Sequence, residues 1–196
     1  MGIELPFYVE PTDSPSKQEL LKAALKLFAR DGVRESSIRA VAAEAGFTNP
    51  VLFKYFESKE ALALHLFERC YLRLVREAQG ALASEGSFRS RLKLLVTRMM
   101  TLLDESPEAM LFVSDELRRY WPQVSAATRK RSLIGMTRTF FSEGDVTKDV
   151  DLTVLVAGFW GLLGEFARLH AFGEWRGKAV DAAPQLEILA WNMLRP

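Results

Sequence analysis

The side chains whose types and spacing best suit a chemical role lie in one short stretch, residues 48–55. Thr48, Asn49 and Val51 begin a predicted short helix, and Tyr55 follows one turn later. An asparagine amide can hydrogen-bond to adenine, and a valine methyl group can contact the methyl group of thymine. This pattern favours the reading of base edges in the major groove of duplex DNA.

Cations near this stretch suit the phosphate backbone. Arg39, on the preceding predicted helix, can meet a phosphate or a flanking base, and Lys59 adds a cation to the free N–H groups that follow the predicted N-cap Ser58. From Lys17 to Lys59 eight basic residues face five acidic ones, a net of +3 in a chain whose total is +1. Ordinary solvated helix faces produce such an excess too. The candidate DNA-binding residues are Ser37, Arg39, Thr48, Asn49, Pro50, Val51, Phe53, Lys54, Tyr55 and Lys59.

Three predicted helices must position these side chains, and they cover residues 17–30, 37–45 and 49–56. Gly32 is the predicted C-cap of the first helix, and Gly46 lets the chain reverse between the second and third. The predicted buried stripe of the second helix is Ile38, Val41, Ala42 and Ala45. Leu52 and Phe56, four residues apart, anchor the third helix to the core, so its polar positions point away. Two short helices joined in this way form a helix-turn-helix.

This segment resembles the N-terminal domain of the tetracycline-repressor (TetR) family of transcriptional regulators. The matching segments are Phe28–Gly32, Ser36–Arg39, Ala45–Gly46, Phe53–Phe56 and Ser58–Leu62. The resemblance implies a homodimeric repressor that binds a palindromic operator and is released by a small molecule bound in its C-terminal domain. Phe53 stands where the family usually has tyrosine, so the hydroxyl bond to phosphate implied by the family is absent, and Pro50 stands where glycine is frequent.

The whole chain is predicted to be all-α. We expect an irregular N-terminal arm over residues 1–16, a helix-turn-helix DNA-binding domain over 17–62, and a helical ligand-binding and dimerisation domain over 63–196. A long fourth helix follows Ser58 and fades near Gly80. The later predicted helices cover 88–104, 107–121, 122–142, 149–172 and 184–194.

The helix predicted over residues 149–172 is apolar on nearly all sides in its first half and carries a strip of small residues. We expect this helix and the last one to form a two-fold dimer interface, the alternative being a helix buried within a monomer. The predicted interface residues are Ala157, Gly161, Gly164, Leu186, Leu189 and Met193.

Large, adaptable side chains between these regions are candidates for the lining of a pocket, although such stripes are also typical of ordinary core. The candidate ligand-binding residues are Met99, Met100, Leu103, Phe112, Trp121, Met136, Phe140 and Trp160. The resemblance implies a small-molecule effector, and this lining favours a largely apolar one. No cofactor is expected.

The composition of the chain excludes several classes of protein. The single cysteine, Cys70, excludes an intramolecular disulfide and a cysteine-rich zinc site. The apolar stretch Leu152–Gly164 is shorter than the roughly 20 residues of a membrane span, and the first ten residues do not resemble a secretory signal. We therefore expect a cytoplasmic protein with no membrane partner.

Two alternatives stay open at this point. A helical metal-binding bundle enzyme would use His65 and His170, but neither has the Glu-x-x-His spacing of such sites, and both are interpreted as surface or interface residues. A helical protein-interaction module without DNA binding would use the basic runs Arg118–Arg119 and Arg129–Arg131 to bind an acidic partner. We expect no metal site and no enzymatic activity.

Overall fold

The computed structural model describes residues 6–196, and over that range the chain is helical with no strand. The α-helices of these residues are α1 (Pro15–Asp31), α2 (Ile38–Glu44), α3 (Asn49–Phe53), α4 (Lys59–Leu82), α5 (Phe88–Glu105), α6 (Pro107–Tyr120), α7 (Ala126–Arg129), α8 (Leu133–Glu143), α9 (Leu152–Ala171) and α10 (Ala183–Leu194). Short 3-10 helices cover Trp121–Gln123 and Ala179–Ala182.

The chain divides into two compact units. The N-terminal unit comprises the residues up to Arg73 together with Glu108–Ser125, and the C-terminal unit comprises Leu74–Pro107 together with Ala126–Pro196. The N-terminal unit thus takes in most of α6, which the sequence placed in the ligand-binding domain.

Local signals set the bounds of the first helices. The Ser37 hydroxyl accepts the Ala40 N–H at 3.0 Å and so caps α2. Gly32, with φ at +83°, ends α1, and its N–H donates to the Phe28 carbonyl.

Two predicted bounds are wrong. The helix α1 begins at Pro15, so residues 15–16 do not belong to an irregular arm; residues 6–14 are turns and bends, and the first five residues of the predicted arm lie outside the described range. The helix α3 ends at Phe53, because beyond it the N–H groups of Tyr55 and Phe56 converge on one carbonyl, that of Leu52, at 3.0 and 3.1 Å.

The predicted helix over residues 122–142 is also wrong, because the segment breaks twice. Trp121–Gln123 is a 3-10 helix, α7 is a single turn, and α8 begins at Leu133. The Ser132 hydroxyl starts α8 by accepting the Gly135 N–H at 2.8 Å.

Aromatic side chains fill much of the C-terminal unit. Phe88 of α5 stacks on Phe140 of α8 with ring centroids 4.4 Å apart, and Phe141 meets Phe159 of α9 edge-on at 5.6 Å. The Trp160 indole N–H donates to the buried Thr137 hydroxyl at 3.1 Å. These contacts hold α8 and α9 together.

The helix α9 is longer than its apolar stretch suggested. Its 20 residues reach Ala171, and by length and composition alone the helix is long and apolar enough to cross a membrane. The expectation that this segment is too short for a span is therefore wrong for the helix as a whole.

Candidate nucleic-acid interface

The turn between α2 and α3 is held by backbone hydrogen bonds. Gly46 has φ at +76° and donates to the Ala43 carbonyl at 3.0 Å, while the Phe47 N–H donates to the Ala42 carbonyl at 2.8 Å. A side chain at this φ is strained, so glycine is the residue that the turn favours.

The anchors of α3 are those that the spacing predicted. Leu52 is fully buried and Phe56 is 6% exposed. Val41 and Ala42 of α2 are buried, whereas the outer positions of the predicted stripe, Ile38 and Ala45, are only half-buried. The apolar face of α3 is therefore fixed to the core of the N-terminal unit.

The opposite face of this short helix carries the predicted reading residues. Thr48, Pro50 and Lys54 are exposed, and Asn49 and Val51 are half-buried. Phe53 is 52% exposed, which is unusual for a large apolar side chain. The face presented to solvent is thus a mixture of amide, methyl, aromatic and cationic groups.

Tyr55 is tied to the start of α1. Its hydroxyl lies 2.8 Å from the Ser14 hydroxyl and 2.6 Å from the Ser16 hydroxyl, and these hydrogen bonds, that from Ser14 first, lower the pKa of the phenol. Ser14 also begins α1, since its hydroxyl accepts the Lys17 N–H at 3.4 Å. Sequence reasoning missed both serines.

Two N–H groups of the Lys59 ammonium are engaged within the domain. Its ammonium group donates to the Arg34 carbonyl at 3.0 Å and to the Ser36 carbonyl at 2.7 Å. It therefore ties the start of α4 to the loop that precedes α2, a structural role that the sequence did not indicate, while its contact with phosphate stays a prediction.

The cation excess of the helix-turn-helix resolves into a few exposed side chains. Four of its basic residues form ion pairs with nearby carboxylates, namely Lys17, Lys22, Lys26 and Arg30. Arg34, Arg39 and Lys54 are exposed and form no ion pair among residues 6–196. These three cations, which precede α2, lie on α2 and follow α3 respectively, remain available for phosphates.

The candidate ligand-binding residues are not brought together as a set. A cavity of about 620 Å³ lies in the C-terminal unit, and of the eight candidates only Met136 and Phe140 line it. Of the other six, four are buried in the packed interior of one unit or the other, namely Met99, Met100, Leu103 and Phe112, and two are half-buried, Trp121 and Trp160. Phe112 stacks on Phe28 of α1, with ring centroids 6.0 Å apart.

The candidate dimer residues divide between surface and core. Ala157, Gly161 and Leu189 are exposed, and Gly164 and Met193 are half-buried. Leu186, in contrast, is buried within its own chain, so it is a core residue. Further exposed apolar side chains on or next to these helices, which sequence reasoning missed, are Val154, Leu169, Phe172 and Ile188.

The histidines do not form a metal site. His65 is half-buried with its ring 5.3 Å from that of Phe56, and burial lowers its pKa to about 4, so it is not a surface residue. A ring nitrogen of His170 lies 3.2 Å from the Gly177 carbonyl. Among residues 6–196, no three His, Cys, Asp or Glu side chains are grouped closely enough to hold a metal ion.

Comparisons with known proteins match this architecture. A family profile described as bacterial regulatory proteins, tetR family, matches residues 20–66. The transcriptional repressor KstR2 of Rhodococcus jostii is 27% identical over 146 residues, covering 71% of this chain and 72% of the relative. Other curated relatives match over about half of their length.

Solved structures share the fold. The ketosteroid transcriptional regulator KstR2 of Mycobacterium tuberculosis superposes with a TM-score of 0.78 at 19% identity, covering 98% of this chain and 100% of that one. FadR of Bacillus subtilis, solved in complex with stearoyl-CoA, superposes with a TM-score of 0.69 at 15% identity, covering 89% and 97%. The family profile thus identifies residues 20–66, which include the exposed α3, as a DNA-binding domain of the tetR type, and the chain as a whole shares its fold with solved TetR-like regulators.

Proposed function

We propose that this protein is a dimeric transcriptional repressor that binds a palindromic operator through α3 and is released from it by a small molecule bound in the C-terminal unit. The observation that carries the proposal is the short helix α3, whose anchors Leu52 and Phe56 are buried while its opposite face meets solvent. A helix presented in this way fits the major groove of duplex DNA.

Different side chains serve affinity and sequence preference in this proposal. Arg34, Arg39 and Lys54 neutralise phosphates, because they are exposed and have no carboxylate partner in the described chain. Asn49 and Val51 meet base edges. Tyr55 orients the end of α3 through its bonds to α1 instead of reading bases directly.

The apolar surface of α9 and α10 supports association with a second copy. Val154 is 60% exposed on α9, and Ile188 and Leu189 are exposed at consecutive positions of α10. Burial of such a face against its own copy gives a two-fold dimer, and a two-fold dimer reads a palindrome. A membrane would also cover apolar groups, but the exposed Glu165–Arg168 ion pair on α9 makes insertion of the whole helix costly.

The effector is proposed to have a large apolar part. One structural neighbour is titled a ketosteroid regulator and another was solved with stearoyl-CoA, so both names point to molecules that contain a large apolar part. The ligand must favour a conformation in which the two reading helices no longer match adjacent major grooves. A protein with this activity works in the cytoplasm, where the DNA is.

Selection of bound duplexes from a random pool tests the proposal. We expect an enriched inverted repeat whose half-sites lie one helical turn or a multiple apart, and a dimer-sized complex by sedimentation. If the protein is folded but enriches no sequence, DNA recognition is contradicted. If a monomer enriches a single half-site, the dimer is contradicted. Flotation with lipid vesicles reports on the membrane alternative in the same preparation.

A further inference from the structure

We propose that the cavity in the C-terminal unit binds an amphipathic anion, that is, an apolar body that carries a carboxylate or a phosphate. The proposal rests on the effector response proposed above, and it adds the chemistry of the ligand and the residues that recognise its charge. The observation that carries it is the lining of the cavity, which contains both apolar side chains and cationic ones.

The apolar part of the lining comes from two helices. Leu82 is the last residue of α4 and Ala83 follows it, and Met136 and Phe140 project from α8. The volume of about 620 Å³ is within the range of small-molecule sites, and the cavity is open to solvent on the side where Arg129 and Lys130 are exposed. This part of the cavity suits an aliphatic or alicyclic body.

The charged part comes from α5, from the last residue of α7 and from the residue that follows it. Arg91, Arg129 and Lys130 line the cavity, against one carboxylate, that of Glu143. The run Arg129–Arg131 stands out in the sequence as a patch for an acidic partner, yet two of its three side chains line the cavity. A lining with more cations than carboxylates favours an anionic ligand.

Arg91 joins the two parts. Its guanidinium carbon lies 5.0 Å from the centre of the Phe140 ring, and one terminal nitrogen donates to the Leu82 carbonyl at 3.3 Å. Its Nε is buried and has no hydrogen-bond partner among residues 6–196. A buried N–H without an acceptor is costly, and a carboxylate or phosphate oxygen satisfies it.

Guanidinium groups form bidentate hydrogen bonds with carboxylates and with phosphates, so the experiment tests a ligand of each kind. Titration calorimetry on the full chain without DNA compares decanoate, decanoyl-CoA, free coenzyme A and the neutral decanol. We expect decanoate or decanoyl-CoA to bind at least about tenfold more tightly than decanol and than free coenzyme A. Tight binding by decanoyl-CoA with weak binding by decanoate identifies the phosphate source, and the reverse identifies the carboxylate.

Two variants tie the charge to its residues. Arg91→Met, which keeps an apolar stem against Phe140, is expected to weaken the anionic probes about tenfold or more without affecting decanol, and Lys130→Met, at an exposed position, is expected to act in the same direction. Arg76→Met, exposed on α4 and outside the lining, is the matched control and should change nothing.

The proposal is overturned if decanol binds as tightly as the anions, if Arg91→Met and Lys130→Met leave the anions unaffected, or if no probe binds. Because the affinities for the probes are measured without DNA, a negative result with the probes does not contradict operator binding. Likewise, a protein that binds no operator can still bind the probes with the expected affinities.

Discussion

Replacement of Asp13 by asparagine is expected to destabilise the N-terminal unit through one buried carboxylate. The Asp13 side chain is 4% exposed and lies against the guanidinium of Arg69, whose second nitrogen is 3.2 Å from the other carboxylate oxygen. The Lys17 ammonium is 2.8 Å away, and the Glu10 N–H donates at 2.9 Å. This cluster fixes the turn that precedes α1 to α4.

The magnitude follows from what the substitution leaves behind. Asparagine keeps the shape of Asp13 but removes its charge, so Arg69, whose side chain is 13% exposed, and the partly buried Lys17 lose their counter-ion. Removal of one partner from a buried ion pair costs about 3–5 kcal/mol. Since Glu10 remains 3.3 Å from Arg69, we expect the lower end, about 3 kcal/mol.

The pH dependence of this difference has a defined sign. Burial raises the pKa of Asp13, but the hydrogen bonds from Arg69 and Lys17 outweigh burial and hold the pKa well below its usual range. The carboxylate therefore contributes fully above its unfolded pKa of about 4, and its contribution falls as the pH drops toward the lowered native value. The gap between wild type and Asp13→Asn should narrow below about pH 4.

Urea unfolding followed by circular dichroism, at equal protein concentration, measures this gap. The control Glu19→Gln breaks the exposed pair with Lys22 and should cost less than about 1 kcal/mol. A loss below about 1 kcal/mol for Asp13→Asn near neutral pH, or a gap that stays constant into the acid range, would refute the reasoning.

Three further substitutions separate structural from binding roles. Lys59→Met should destabilise the fold by about 1–3 kcal/mol while leaving the salt dependence of DNA binding unchanged, because its ammonium is engaged by two carbonyls. Leu189→Glu should convert dimers into monomers in sedimentation, because it places a charge in the exposed apolar face of α10. Asp104→Ala should cost about 1–3 kcal/mol in unfolding, because it strands the N–H groups of Ala179 and Val180, which the carboxylate accepts at 2.6 and 2.9 Å.

Each of these has a matched control. Lys54→Met removes an unpaired exposed cation, so it should keep the stability of the fold and lower by about 1 the slope of the logarithm of the DNA-binding constant against the logarithm of the salt concentration. Equal slopes for Lys54→Met and Lys59→Met would contradict the assignment of a phosphate-binding role to Lys54 and a structural role to Lys59. Thr101→Glu on the exposed side of α5 should remain dimeric, and a dimer that survives Leu189→Glu would move the interface elsewhere. Asp149→Ala, exposed near α9, should stay within about 0.5 kcal/mol of wild type, and a similar value for Asp104→Ala would contradict its role.

The helix-turn-helix was predictable because its determinants are local. Ser37 caps the first turn of α2, and Gly32 and Gly46 adopt a positive φ in the turns that follow α1 and α2. The residue types at these few positions therefore set where the helices begin and end. The burial of Leu52 and Phe56 was predicted from their spacing of four residues, although Phe56 lies beyond the end of α3.

The partners of the site residues were not predictable in this way. The Tyr55 hydroxyl meets serines about 40 residues earlier in the chain, and the Lys59 ammonium meets carbonyls more than 20 residues away, so neither contact has a local signature. The lining of the cavity was mostly mispredicted for the same reason, because its residues come from α4, α5, α7, α8 and the turn at Ser132, which are distant in the sequence. The break at Ser132, in contrast, had a signal in the serine cap.

The most direct test of the central role of α3 is the base preference of Asn49→Ala, measured by the same selection from a random duplex pool as the wild type. If α3 reads the groove, the variant keeps the inverted repeat and its spacing but loses preference at one base pair in each half-site, symmetrically. Recovery of an unchanged motif at every position would contradict the account.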